Sequence, residues 1–272
     1  MVRSTSPVGA LPGGVAGLRQ IREIDGGYEL PTVESEHGGI YGTTLLFQQV
    51  LVAERVVPGM RLLSLQTLFV DGGVSGRPVT VEVDRLRSGR SFAFVTLTFR
   101  QDKRLITRAE AMLTGDEADY VRHESPPPTP AQTTGWEHRD PAHWPGGGRA
   151  APDDGPGGYR TALTLPRPVT DATTARGLLA LATEPEMLLT MTDLLNLGDA
   201  PPGGIRGNVL SHTLTFVEPP EPLDGVVVHT RPTYAGRGRL HASGRITGLD
   251  GRLLATFSST GVLRAPRTTS TA

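Results

Sequence analysis

The chain repeats itself, and the repeat constrains the fold more than any single motif. An apolar segment of helical length followed by a run of strands occurs twice, in matched register. In the first copy, residues 40–57 are apolar nearly all round, interrupted only by Gln48, Gln49, Glu54 and Arg55, and Pro58-Gly59 closes the segment. A helix that is apolar on every side must be buried on every side. Strand candidates follow at 63–70, 79–85, 91–100 and 105–113, separated by the turn signals Asp71-Gly72-Gly73, Ser88-Gly89 and Asp102-Lys103. The second copy has a leucine-rich helical segment at 175–197 and strand candidates at 209–217, 225–233, 239–247 and 253–263. Ser64 stands five residues before Phe69-Val70-Asp71, and Ser211 five before Phe216-Val217-Glu218. Phe69 lies 33 residues before Asp102, and Phe216 lies 34 before Asp250. Chance similarity of local motifs would not hold that spacing. The pattern predicts an α+β protein made of two helix-plus-antiparallel-sheet units, 1–115 and 169–272.

Between them, 116–168 reads as a connector. It contains Pro126-Pro127-Pro128, Gly146-Gly147-Gly148 and Gly155-Pro156-Gly157-Gly158, a composition with little to bury. Both tryptophans, Trp136 and Trp144, lie inside it. An aromatic in such a segment is expected to pin it to a surface.

Composition removes several kinds of chemistry. There is no cysteine, so disulfides, thiolate metal sites and a cysteine nucleophile are excluded. The formal net charge of -1 gives no reason to expect nucleic acid as a partner. No apolar run approaches the roughly 18 residues of a membrane span, and the first residues lack the apolar core of a signal peptide. The expectation is a cytoplasmic protein. Lys103 is the only lysine, a bias that suggests a GC-rich bacterial genome. The histidines have no metal-ligand spacing, and no nucleotide loop is present, so no metal or cofactor is expected. His212 and His229 fall in strand candidates and read as packing or polar-face residues. A Gly-x-Ser-x-Gly nucleophile motif is absent.

Two segments offer chemistry. His37-Gly38-Gly39 precedes the first helix, where glycines admit a ligand close to the backbone and first-turn amides can hold an oxyanion. Glu184 is the acid best placed on a central helix to activate a water. The competing reading makes Thr183-Glu184-Pro185-Glu186 a helix start, with Thr183 as cap and Glu184 as first-turn charge. The turn carrying Arg85, Arg87 and Arg90 could bind phosphate or be a solvated hairpin.

Taken together, these residues resemble the acyl-CoA thioesterase II family, which is a double hotdog. The likeness rests on Gly38-Gly39-Ile40-Tyr41-Gly42 with Gln48-Gln49, on Ser64-Leu65-Gln66-Thr67-Leu68-Phe69, and on Arg87-Ser88-Gly89-Arg90-Ser91-Phe92. Near the C-terminus it rests on Asp250-Gly251-Arg252-Leu253-Leu254-Ala255 and Gly261-Val262-Leu263-Arg264. The resemblance implies two antiparallel sheets, each wrapped around a central helix, and a water held by an Asp, a Ser or Thr, and a Gln. The Asp falls on Glu184, the hydroxyl on Val209 and the Gln on Ser259. Asn208 adjoins Val209 and would replace it after a one-residue shift. The implied catalytic set is Glu184, Ser259 and Asn208, with Gly38, Gly39, Tyr41, Val209, Ser211 and Arg90 around the substrate. The implied substrate is an acyl or polyketide-like group carried on CoA or acyl carrier protein. The implied activity is thioester hydrolysis by an activated water. The degenerate set leaves open a repurposed hotdog that performs a cyclisation, isomerisation or dehydration in a natural-product pathway, or that only binds. A homodimer is compatible with the sheet edges left to cover.

Overall fold

The computed structural model describes residues 14–35, 38–123, 136–139, 144–152, 158–194, 206–217 and 222–264; at 139, 184–194 and 206 it describes the backbone alone. After a short helix, α1 (Gly14–Leu18), come β1 (Arg22–Ile24) and β2 (Gly27–Leu30). The first central helix, α2 (Gly42–Val56), is followed by β3 (Arg61–Phe69), β4 (Val79–Ser88), β5 (Phe92–Gln101) and β6 (Arg104–Thr114). The connector contributes β7 (Glu137–Arg139) and β8 (Gly148–Pro152). The second unit is β9 (Tyr159–Val169), the central helix α3 (Ala172–Leu194), β10 (Arg206–Phe216), β11 (Leu223–Gly236), β12 (Arg239–Gly248) and β13 (Leu253–Arg264).

The strands form one antiparallel sheet in the order β1-β2-β4-β5-β6-β3-β10-β13-β12-β11-β9-β8-β7. Read outward from the β3–β10 joint, β3-β6-β5-β4-β2 and β10-β13-β12-β11-β9 follow the same order, because the units are copies joined edge to edge. Leu65 opposes Leu214 and Gln66 opposes Thr213 across that joint. The copies share their irregularities. A bulge falls between Leu62 and Ser64 in β3 and between Val209 and Ser211 in β10. This is the double hotdog, with α2 and α3 packed side by side inside the curved sheet.

Each element has a local cause. α2 buries all but Gly42 and Arg55 of its residues, as its all-round apolarity requires. Gly59, at φ +85, ends it in a conformation that favours glycine. α3 starts at Asp171, whose carboxylate accepts the Thr174 amide at 3.1 Å. An aspartate N-cap of this kind stabilises a helix start by about 1 kcal/mol. α3 then runs unbroken past Thr183, so the reading of 183–186 as a helix start is wrong. Thr183 caps nothing; its hydroxyl bonds back to the Ala180 carbonyl at 2.9 Å.

The connector is more ordered than its composition suggests. Tyr159–Val169 is a full strand of the second sheet, paired with β11, and β8 pairs with β9 in turn. Two prolines and the preceding glycines hide that strand from pattern reading. Trp144 is buried and donates its Nε1–H to the Thr164 carbonyl at 2.8 Å, so it does pin the segment. Among the described residues no helix is long and apolar enough to cross a membrane.

Candidate active site

A cavity of about 300 Å³ opens where the units meet. Its walls are the start of α2 (Ile40, Gly42, Leu45), the end of β3 with its following turn (Phe69 to Gly73), Ile106 and the first part of β10 (Asn208, Val209, Leu210). Its size is at the low end for ligand pockets. At its rim the Arg104 guanidinium hydrogen-bonds Asp71 at 2.7 Å and holds that carboxyl below the usual carboxylate range.

The glycine turn is braced, which moves the candidate oxyanion donors. Gly38 donates to the Ser35 carbonyl and accepts from the Ser75 amide; Gly39 bridges to Val74; the Ile40 amide donates to the Gly73 carbonyl. Gly38 and Gly39 therefore shape the entry to α2, with Gly38 at φ +72. His37 lies outside the described residues. Tyr41 is the N-cap of α2, and its carbonyl takes the amides of Thr44 and Leu45. Helical geometry leaves the next two amides, of Gly42 and Thr43, without an intrahelical acceptor. Gly42 lines the cavity.

The second wall carries residues that the sequence read differently. Val209 is buried and faces inward, while Asn208 is exposed at the rim. Successive strand residues face opposite ways, so Asn208 does not take the place of Val209. Ser211 precedes inward-facing His212 and points away from the helices for the same reason. Arg90 is exposed at the β4–β5 turn. The far end of β5 reaches the cavity wall, where Gln101 accepts the Val74 amide at 2.7 Å. A ten-residue strand separates the two ends, or about 30 Å, so Arg90 does not belong to this site.

His212 is a buried polar residue whose partners pattern reading does not reveal. It is fully buried, with Nε2 2.8 Å from the Thr183 hydroxyl and Nδ1 2.6 Å from Ser259 Oγ. The Phe257 ring stacks on it, centroids 5.9 Å apart. Thr183 gives its one proton to Ala180, so it must accept from His212 Nε2–H. Nδ1 is then bare and accepts from Ser259. Burial pushes the imidazole down to about 3, so it is neutral at ordinary pH. It is a linchpin that ties α3 to β10 and β13 one residue before Glu184. Ser259 is brought close to that turn of α3, but its hydroxyl is occupied by the histidine. Of Glu184 itself only the backbone, within α3, is described.

The equivalent positions in the first unit are apolar. Leu65 follows the β3 bulge as His212 follows the β10 bulge; it pairs with Ala111 as His212 pairs with Ser259. The first unit places its own polar network one step along. Gln49 accepts from the Thr67 hydroxyl at 2.7 Å and donates to Thr107 at 3.3 Å. Thr67 pairs directly with His212 across the joint. The two networks form one polar belt beneath the helices, beside the cavity.

Residues 32–114 match the family model of the acyl-CoA thioesterase N-terminal domain. The match runs from just before α2 to the end of β6. Over nearly its full length the chain is similar in structure to acyl-CoA thioesterase II TesB2 from Mycobacterium marinum. That likeness has a TM-score of 0.74 and 19% identity, and covers 93% of this chain and 98% of that one. It is also similar to the tesB protein of Mycobacterium avium subsp. paratuberculosis, with TM-score 0.72, 19% identity and coverage of 92% and 98%. A dehydratase domain of the curacin polyketide synthase is more distant, with TM-score 0.56, 11% identity and coverage of 91% and 96%. At these identities the structural likeness is one of fold. No curated protein matches the chain. The thioesterase-type double hotdog expected from the sequence is thus the fold of this acyl-CoA thioesterase relative.

Proposed function

We propose that the protein hydrolyses an acyl thioester, carried on CoA or acyl carrier protein, in the cavity between α2 and β10. The observation that carries this is the junction itself: open first-turn amides, a cavity of mixed polar and apolar lining, and a turn of α3 held by Thr183, His212 and Ser259. In this reading the thioester carbonyl lies against the Gly42 and Thr43 amides, which stabilise the developing oxyanion. Glu184 takes a proton from a water as that water attacks the carbonyl carbon. The intermediate collapses, the carbon–sulfur bond breaks, and the proton passes to the departing thiolate. The products are a carboxylic acid and a free thiol.

One feature favours a second reading. Val209 stands where the family has a hydroxyl, and Ser259 is committed to His212. Without those two water ligands, the site would bind an acyl or polyketide-like substrate and catalyse a cyclisation, isomerisation or dehydration in a natural-product pathway, or only hold it. A panel of acyl-CoA and acyl carrier protein thioesters, assayed for thiol release with native protein and Glu184→Ala, separates the readings. Hydrolysis abolished by the substitution is the expected result. Hydrolysis that survives it would refute the role of Glu184. No hydrolysis, with saturable acyl-ligand binding, would establish the second reading.

A further inference from the structure

The two units differ most where they should be most alike. Each central helix begins with an N-cap, Tyr41 or Asp171, followed two residues on by a Thr-Thr pair: Thr43-Thr44 and Thr173-Thr174. The second threonine of each pair bonds back to its N-cap residue, Thr44 to the Tyr41 carbonyl and Thr174 to the Asp171 carboxylate. Counted from these caps, Phe47 corresponds to Gly177, Leu46 to Arg176, and Glu54 to Glu184. The helices meet on this register. A Cβ on Gly177 would lie 2.8 Å from the Phe47 ring, so equivalent positions face each other across the pseudo-twofold axis.

Around Glu54 the contacts are complete. Its carboxylate takes the Arg176 guanidinium at 2.5 and 2.9 Å, the Leu62 amide at 2.8 Å and the Thr173 hydroxyl. Glu54, Arg176 and Leu62 are buried, and Thr173 is half-buried. Internal symmetry puts the α3 position of Glu184 opposite Thr43 and Leu46. Leu46 offers no cation. Thr43 is 1% exposed, and among the described residues its Oγ1 has no hydrogen-bond partner. A buried hydroxyl left unsatisfied is destabilising, and a water bound with the substrate would satisfy it.

We propose that Thr43 supplies, from the first unit, the water-holding hydroxyl lost at Val209, and that the missing counterpart of Arg176 leaves this the one working site of the pair. The Glu54 site is the same constellation closed by a guanidinium. This rests on the proposed hydrolysis with Glu184 as base. Thr43 Oγ holds the attacking water opposite the α3 backbone position of Glu184, within reach of a carbonyl on the Gly42 and Thr43 amides.

The test uses the full chain and the same acyl-CoA panel. Thr43→Val should lower kcat about 100-fold, the usual effect of removing one such polar contact, with KM changed less than threefold. Thr43→Ser should restore kcat to within a few-fold. Thr173→Val, at the closed site, should leave kcat within a few-fold of native. Leu46→Arg should silence the enzyme while its circular dichroism stays native, by copying the closed site. Native kcat in Thr43→Val alongside an inactive Glu184→Ala would overturn this inference and leave the proposed hydrolysis standing. Equal loss in Thr43→Val and Thr43→Ser would overturn it too, by showing a packing role. A native protein that hydrolyses nothing on the panel would overturn both.

Discussion

Replacing Arg176 by leucine, the residue at its counterpart Leu46, tests how the two units are held together. The Arg176 and Glu54 side chains are 8% and 6% exposed, and they join α3 to α2 through two parallel hydrogen bonds. Arg176→Leu strands the Glu54 carboxylate in the interface with only the Leu62 amide and Thr173 hydroxyl as donors. Removing one member of a buried pair costs about 3–5 kcal/mol, because the remaining charge is neither paired nor hydrated. At roughly 2–4 °C per kcal/mol for a chain near this size, the melting temperature should fall by about 10 °C. Replacing both members removes the stranded charge. In Glu54→Gln/Arg176→Leu the amide still accepts from Leu62 and Thr173, so the double variant should recover most of the loss. The coupling energy, from urea unfolding of the native, single and double variants, should be about 2–3 kcal/mol. A cost below about 1 kcal/mol for Arg176→Leu, or a double variant no more stable than the single, would refute the view that this pair holds the closed site shut.

The buried imidazole makes a pH prediction. His212 stays neutral in the folded protein down to about pH 3 but takes a proton below about 6.5 when unfolded. The unfolded state then binds more protons, so this stability is complete above pH 6.5 and is lost as pH falls from there toward 3. Between pH 6.5 and 4.5 the loss is about 2–3 kcal/mol, seen as a steeper fall in urea stability for native protein than for a variant lacking the histidine. The suitable variant is Thr183→Ala/His212→Leu/Ser259→Ala, which copies Ala53, Leu65 and Ala111 of the first unit. It should fold, because removing all partners strands no polar group, and it should lose activity by loosening the turn that carries Glu184. Full activity in that variant would refute the positioning role of His212.

How far the sequence could be read depended on whether the information was local. The helices and the strands that follow them were legible because burial writes itself as periodicity. The 40–57 segment became Gly42–Val56, and the duplicated register reappeared as matched bulges in β3 and β10. Strand β9 was not legible, since Pro166 and Pro168 sit at its far end and glycines precede it. The cavity lies between the start of α2 and β10. Its composition was legible only in part. Asn208 and Ser211 were misassigned because a strand's facing is set by a bulge that sequence does not announce. Arg90 was drawn in by a family motif that the sheet carries to its far end. His212 was passed over because its partners, Thr183 and Ser259, lie 29 and 47 residues away along the chain. The repeated Thr-Thr pair was visible throughout, but it means something only once the helices are seen to meet.

Duplication explains why the asymmetry arose at these places. In a symmetric dimer of single units, any residue at one site is forced on the other. Fusing two copies removes that constraint, so each site can change alone. Here the changes are complementary. One site has Arg176 opposite Glu54 and is filled by Ala53, Leu65 and Ala111. The other keeps Leu46 and places Thr183, His212 and Ser259 under the turn that leads to Glu184. A carboxylate neutralised by a bidentate guanidinium is a structural fastener. The equivalent position on α3 has Leu46 in place of a guanidinium across the axis, and it is there that the acid–base chemistry is proposed. The closed site thereby serves the open one, because the pair that silences it also fixes α3 against α2.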